Sequence, residues 1–203
     1  MHKKYSLKTD KIMKVNDWLE NYIEEQKKVI DSIPVDQVGE IIEKFVHANK
    51  DKKQIFVFGN GGSAANASHF ITDLGKSSSE AAENRFKCFS LNECTSLITA
   101  IGNDYAYEDV FVEQLKNFAN PNDLVLTMSV SGSSPNLVKA FEWANEKGLH
   151  TIALVGNKKG KLANMANNVF VADSAHYGRV EDLHMMICHM IAYAFIENQD
   201  LTK

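Results

Sequence analysis

The sequence predicts an α/β protein, a mostly parallel sheet covered by helices on both faces. Two observations carry that expectation. Short runs rich in β-branched, aromatic and other apolar residues recur at 54–58, 124–128, 151–155 and 169–171. Helical stretches separate them, at 64–74, 135–147 and 161–166. Strands buried on both faces read as continuous apolar runs, and the intervening helices supply the right-handed crossovers that parallel pairing needs.

Residues 11–50 come first and read as helical. Ile12, Val15, Leu19, Ile23 and Ile30 fall near helical spacing, Pro34 interrupts, and Val38, Ile41, Ile42, Phe45 and Val46 resume the pattern. A weaker strand candidate lies at 86–90. The last helix, 180–196, is apolar nearly all round, with Leu183, Met185, Met186, Ile187, Met190, Ile191, Ala192 and Phe195. Such a helix belongs in the core or between subunits. With three prolines and no linker-like stretch, the expected organisation is one domain over 1–203, with 1–50 as a helical extension.

A chain of 203 residues is the length of one domain. Its 22 Lys and Arg against 26 Asp and Glu give a net charge of −4, which argues against a nucleic-acid partner. No apolar run approaches the roughly 20 residues of a membrane span. No apolar stretch follows Met1–Ser6, so a cytoplasmic location is expected. Cys88, Cys94 and Cys188 are too few and too irregular for a disulfide framework and read as small buried hydrophobes.

Ligands of open α/β sheets bind beyond the carboxyl ends of strands, and two such ends here are unusual. The first reads Gly59-Asn60-Gly61-Gly62-Ser63, where Gly61 and Gly62 let backbone approach a ligand and Ser63 is placed as a helix N-cap. The second reads Ser129-Val130-Ser131-Gly132-Ser133-Ser134-Pro135-Asn136, hydroxyls leading into a helix with proline in its first turn. Either alone would be an ordinary turn. Neither matches a dinucleotide or P-loop fingerprint, so together they favour a small phosphorylated ligand. Just downstream, His69 and Asp73 stand at i and i+4, on one helical face, close enough to chelate one ion or act on one substrate.

These two loops, with Gly102-Asn103-Asp104 and the histidine-bearing final helix, resemble the sugar isomerase (SIS) domain family, most closely its phosphoheptose isomerase branch. The resemblance implies a three-layer αβα sandwich with a five-stranded parallel sheet, and a homotetramer with sites at subunit contacts. It implies that Ser63, Ser129, Ser131 and Ser134 bind a sugar phosphate, with Asn60 and Asp104 facing the sugar hydroxyls. It further implies zinc, held at the positions of His69, Asp73, Glu181 and His189, and acid/base catalysis by Asp73, Glu181 and His189.

Two residues depart from the family pattern. Asp73 stands where the resembling enzymes have glutamate, and Glu181 where they have glutamine. The shorter aspartate and the added carboxylate suggest that the base has moved across the site. Against that, Glu181 and His189 are eight residues apart, about 12 Å along a regular helix. The expected activity is interconversion of a ketose and an aldose phosphate, sedoheptulose 7-phosphate first among substrates. The alternatives are an isomerase of another phosphosugar and a non-catalytic phosphosugar-binding or assembly protein.

Overall fold

Alternate residues of the first strand feed two separate cores. In β1 (Gln54–Gly59), Ile55 and Val57 point into one and Phe56 and Phe58 into the other, all four fully buried. This is the two-faced burial expected of a parallel strand. β1 pairs in parallel with β2 (Lys87–Ser90) and β3 (Leu124–Ser129), β3 with β4 (His150–Gly156), and β4 with β5 (Asn168–Ala172). The five-stranded order is β2-β1-β3-β4-β5. The structure, a computed structural model, describes residues 14–203; Ile12 and Met1–Ser6 lie outside the described residues.

Helices cover both faces. One layer holds α1 (Val15–Asp31), α2 (Val35–Lys50), α3 (Gly62–Asp73) and α9 (Tyr177–Glu197), packed around Phe45, Phe70, Ile187 and Phe195. The other holds α5 (Thr95–Asp104), α6 (Val112–Phe118), α7 (Pro135–Glu146) and the short α8 (Leu162–Met165), around Phe111, Leu115 and Phe141. Pro34 does separate the first two helices, because its fixed φ and missing N–H start α2 rather than extend α1. After α3 the chain widens into one π-helical stretch, Leu74–Ser78, followed by α4 (Ser79–Ala81). There the Ser78 hydroxyl donates to the carbonyls of Asp73 (3.2 Å) and Ala192 (2.9 Å), tying the end of α3 to α9.

The structure differs from the sequence expectation in four places. α5 and α6 fill the stretch 91–123, where no helix was expected. α9 begins at Tyr177, three residues early. Ser63 is not an N-cap: Gly61, with φ of 56°, caps α3, and Ser63 lies buried inside its first turn. Only Cys188 of the three cysteines is fully buried, where its thiol contacts the Met128 sulfur at 3.7 Å and burial raises its pKa; Cys88 is half-buried and Cys94 exposed. No helix among the described residues is long and apolar enough to cross a membrane.

Candidate active site

The order β2-β1-β3 puts a topological switch between β1 and β3, since the chain leaves β1 in one direction and β3 in the other. Crevices form at such points beyond the carboxyl ends of strands. Both unusual loops are there. They enclose a cavity of about 390 Å³ lined by Asn60, Gly61, Gly62, Ser63, Ser129, Ser131 and Ser134, together with Tyr177 and Glu181. Asp104 does not line it; it ends α5, exposed, where its carboxylate accepts from Asn103 at 2.9 Å.

The serine loop is partly ordered by its own hydroxyls. Ser129 Oγ accepts from the Gly132 N–H at 3.1 Å, and Ser131 Oγ from that of Ser133 at 3.3 Å. Ser134 occupies the N-cap of α7 without a side-chain capping bond, which leaves its hydroxyl for a ligand. Gly132 has φ of 63°, and a Cβ there would collide with the Lys159 carbonyl, so no larger residue holds this turn. Across the cavity, the Asn60 and Asn136 amides bond each other, and the Tyr107 hydroxyl donates to Asn60 Oδ1 at 3.1 Å.

Helix α3 runs from this cavity to a cluster of ionisable groups. Asp73 Oδ2 lies 3.4 Å from His69 Nε2 and 3.5 Å from His189 Nε2, and the two imidazoles meet edge to face at 5.1 Å. The spacing i to i+4 brings His69 and Asp73 together, and the packing of α3 on α9 adds His189. One ligand atom from each of the three residues lies within 4.8 Å of the others. Two nitrogens and one carboxylate oxygen suit a zinc-type ion with an open position for water or substrate. This is a candidate metal triad.

Glu181 does not join it. Its carboxylate packs on the start of α3, where a Cβ on Gly62 would come within 2.6 Å of both its oxygens. There it faces the serine-lined cavity and the positive end of the helix dipole. The set of four metal ligands expected from sequence is thus divided within one chain, three at the far end of α3 and one at its near end. The reason is the rise of α9, about 12 Å between residues 181 and 189. Asp73, although one methylene shorter than glutamate, reaches both histidines.

Tyr107, Tyr177 and the role of Asn136 were not foreseen. Asn136 stands in the serine loop and was visible as part of it. The tyrosines are brought in by elements whose packing no local pattern reveals. His184, on the same helix as His189, is fully buried against Phe170, and neither ring nitrogen has a well-formed hydrogen bond among the described residues, the Val155 backbone making only a weak contact. Burial lowers its pKa from the ordinary 6.5 to about 4, with only the Val155 backbone opposing.

Comparison with known proteins gives this geometry its context. A profile of the SIS domain matches residues 13–156. A probable phosphoheptose isomerase of Thermoplasma volcanium is 37% identical over 188 residues, 93% of each chain. A phosphoheptose isomerase of Nitratiruptor is 36% identical over 147 residues, 72% of this chain and 78% of the relative. Among solved structures, a phosphoheptose isomerase from Neisseria gonorrhoeae superposes with a TM-score of 0.83 at 26% identity, over 91% of this chain and all of the other. The chain belongs to the SIS-domain family and, within it, to the phosphoheptose isomerases.

Proposed function

We propose that this protein is a ketose/aldose phosphate isomerase that converts sedoheptulose 7-phosphate to glycero-manno-heptose 7-phosphate. The observation that carries the reading is the position of the His69, Asp73 and His189 cluster at the far end of the helix whose start lines the serine-rich cavity. The two ends of α3 are about 16 Å apart along its axis, more than one seven-carbon phosphate spans, so in this reading the serine cavity of one subunit and the cluster of a neighbouring subunit serve one substrate.

In this reading the hydroxyls of Ser131 and Ser134, with backbone N–H groups at the start of α7, hold the phosphate. Asn60 and Glu181 bond sugar hydroxyls and fix the chain's direction. Asp73 takes the proton from C1 beside the carbonyl, and His189 serves the O2 and O1 oxygens. The bond order shifts from C2=O to an enediol, then to C1=O as the proton returns at C2. His69, Asp73 and His189 would hold zinc, which when bound would supply Lewis-acid polarisation of a carbonyl oxygen in place of the proton that His189 gives without it.

Assembly as a homotetramer in the cytoplasm completes the proposal. It is supported by an apolar stripe on α1, where Val15, Trp18, Leu19 and Ile23 are all exposed in the single chain. The test is to incubate the protein with sedoheptulose 7-phosphate, fructose 6-phosphate and ribulose 5-phosphate separately and to follow aldose formation by proton NMR. Turnover confined to the seven-carbon substrate is expected. Turnover of a shorter ketose alone, or of none, would overturn the substrate assignment or the enzyme reading respectively.

A further inference from the structure

We propose that a second ligand site lies at the amino end of the sheet and takes a phosphorylated metabolite of about nucleotide size. A cavity of about 490 Å³ opens there, larger than the one at the serine loop and at the opposite end of the strands. The isomerase reading uses the serine cavity and the histidine cluster of α3 and α9, and no residue of either lines this cavity, so it gives it no role. Its lining draws on separated segments: Lys44 and His47 from α2, Lys53 before β1, and His150 at the start of β4.

The charge of the cavity sets the class of ligand. Lys44 and Lys53 are half-buried, and neither is ion-paired among the described residues. Asp51 is the one carboxylate among the lining residues. A cation in the last turn of a helix, as His47 is in α2, answers the helix dipole. Lys44 is more than a turn inside that end and Lys53 is beyond it, so the dipole accounts for neither. Lys44 also acts on His150: burial lowers the imidazole's pKa first and the lysine charge lowers it further, against a 2.8 Å hydrogen bond with Asn168. His150 is thereby kept neutral, and the cations of the opening are the two lysines, which an anion would neutralise.

Size and surface narrow the class. The volume falls in the range of small-molecule sites, roughly 300–1,000 Å³, and exceeds what a bare phosphate fills. Leu124, Leu149 and Met165 add an apolar wall for an uncharged portion of the ligand. Two ammonium groups for phosphate beside an apolar wall fit a nucleotide-like metabolite.

Calorimetric titration of the full chain with ATP tests this. Saturable binding of one ATP per chain is expected. It should weaken about tenfold or more in Lys44→Glu/Lys53→Glu, through lost charge-assisted bonds, and stay unchanged in Ser131→Ala/Ser134→Ala. Circular dichroism and isomerase turnover should match wild type in the lysine variant; Lys44→Gln/Lys53→Gln serves if the reversal disturbs folding. No saturable binding at millimolar ATP would overturn the site. So would ATP binding lost in the serine variant, which locates the anion at the first cavity, or binding indifferent to both pairs.

Discussion

The side chains of Asn60 and Asn136 are joined twice, each amide nitrogen donating to the other's carbonyl oxygen at 2.9 Å. Asn60 belongs to the glycine loop after β1, and Asn136 to the first turn of α7 after the serine loop. The pair therefore bolts the glycine loop and the serine loop together across the switch point. Asn136 is 2% exposed and also accepts from the Leu137 N–H, so its orientation is fixed from within.

Asn136→Ala should separate the loops. The variant loses both inter-loop bonds and leaves Asn60 tethered only by the exposed Tyr107, at a cost of about 1–3 kcal/mol in stability. The expected kinetic signature is a raised KM for the sugar phosphate with a smaller change in kcat, because the proposed function has Asn60 position the sugar rather than move a proton. Tyr107→Phe should show the same signature more weakly. Steady-state kinetics with chemical denaturation checks both; an unchanged KM in Asn136→Ala would show that the loops hold their places without the pair.

The buried imidazole of His184 should give the protein a defined acid sensitivity. Its folded pKa of about 4 lies below the unfolded value of 6.5, so between those limits the unfolded chain binds a proton that the folded chain does not. Stability from this group is complete above pH 6.5 and is lost as pH falls toward 4, by about 3 kcal/mol in all. Because the imidazole makes no well-formed hydrogen bond among the described residues, only a weak contact with the Val155 backbone, His184→Leu should fold and should flatten that part of the profile. Urea unfolding at pH 7, 5.5 and 4.5 reads the difference. Parallel profiles for the two proteins would mean that the imidazole is hydrated or paired in solution.

The exposed apolar stripe of α1 should be covered in the assembled protein. Trp18 and Ile23 are 50% and 54% exposed, and Met190 and Tyr193 of α9 are likewise open. Trp18→Glu combined with Ile23→Glu should leave the fold of the chain intact and shift its mass toward a smaller species. Light scattering at micromolar concentration measures this. A wild-type monomer, or a tetramer indifferent to both charges, would remove α1 from the interface.

Much of the fold was legible because β1, β3, β4 and β5 are short apolar runs and most of the covering helices carry their own stripe. The region 91–123 was not legible. α5 contains Thr95, Ser96, Thr99, Gly102 and Asn103, poor helix formers in isolation, and it is held by packing Ile101 into the core rather than by propensity. The serine and glycine loops could be read because glycine and hydroxyl residues at strand ends have few other uses in such density. What spacing along one chain could not tell was how α3 and α9 pair. That register sets His189 beside Asp73 and Glu181 beside Gly62, and it divides residues that a family pattern groups together.

The division leads to opposite expectations for the two carboxylates. Asp73→Asn removes the anionic oxygen shared by His69 and His189, so zinc affinity should fall by more than the roughly 10- to 100-fold that outer-shell partners carry. Isomerase activity should fall with it, and added zinc should restore little, because the proton acceptor at C1 is lost as well. Glu181→Gln should keep its zinc, since this carboxylate lies on the start of α3 and not with the other three. Its effect should be a raised KM, through a weaker acceptor for a sugar hydroxyl at a place where the helix dipole also favours the anion. Zinc content by mass spectrometry and affinity by chelator competition separate the two without reference to turnover. Zinc lost from Glu181→Gln and retained by Asp73→Asn would reverse the assignment: the glutamate would then reach the metal across a subunit contact, and Asp73 would be only the group that orders two histidines.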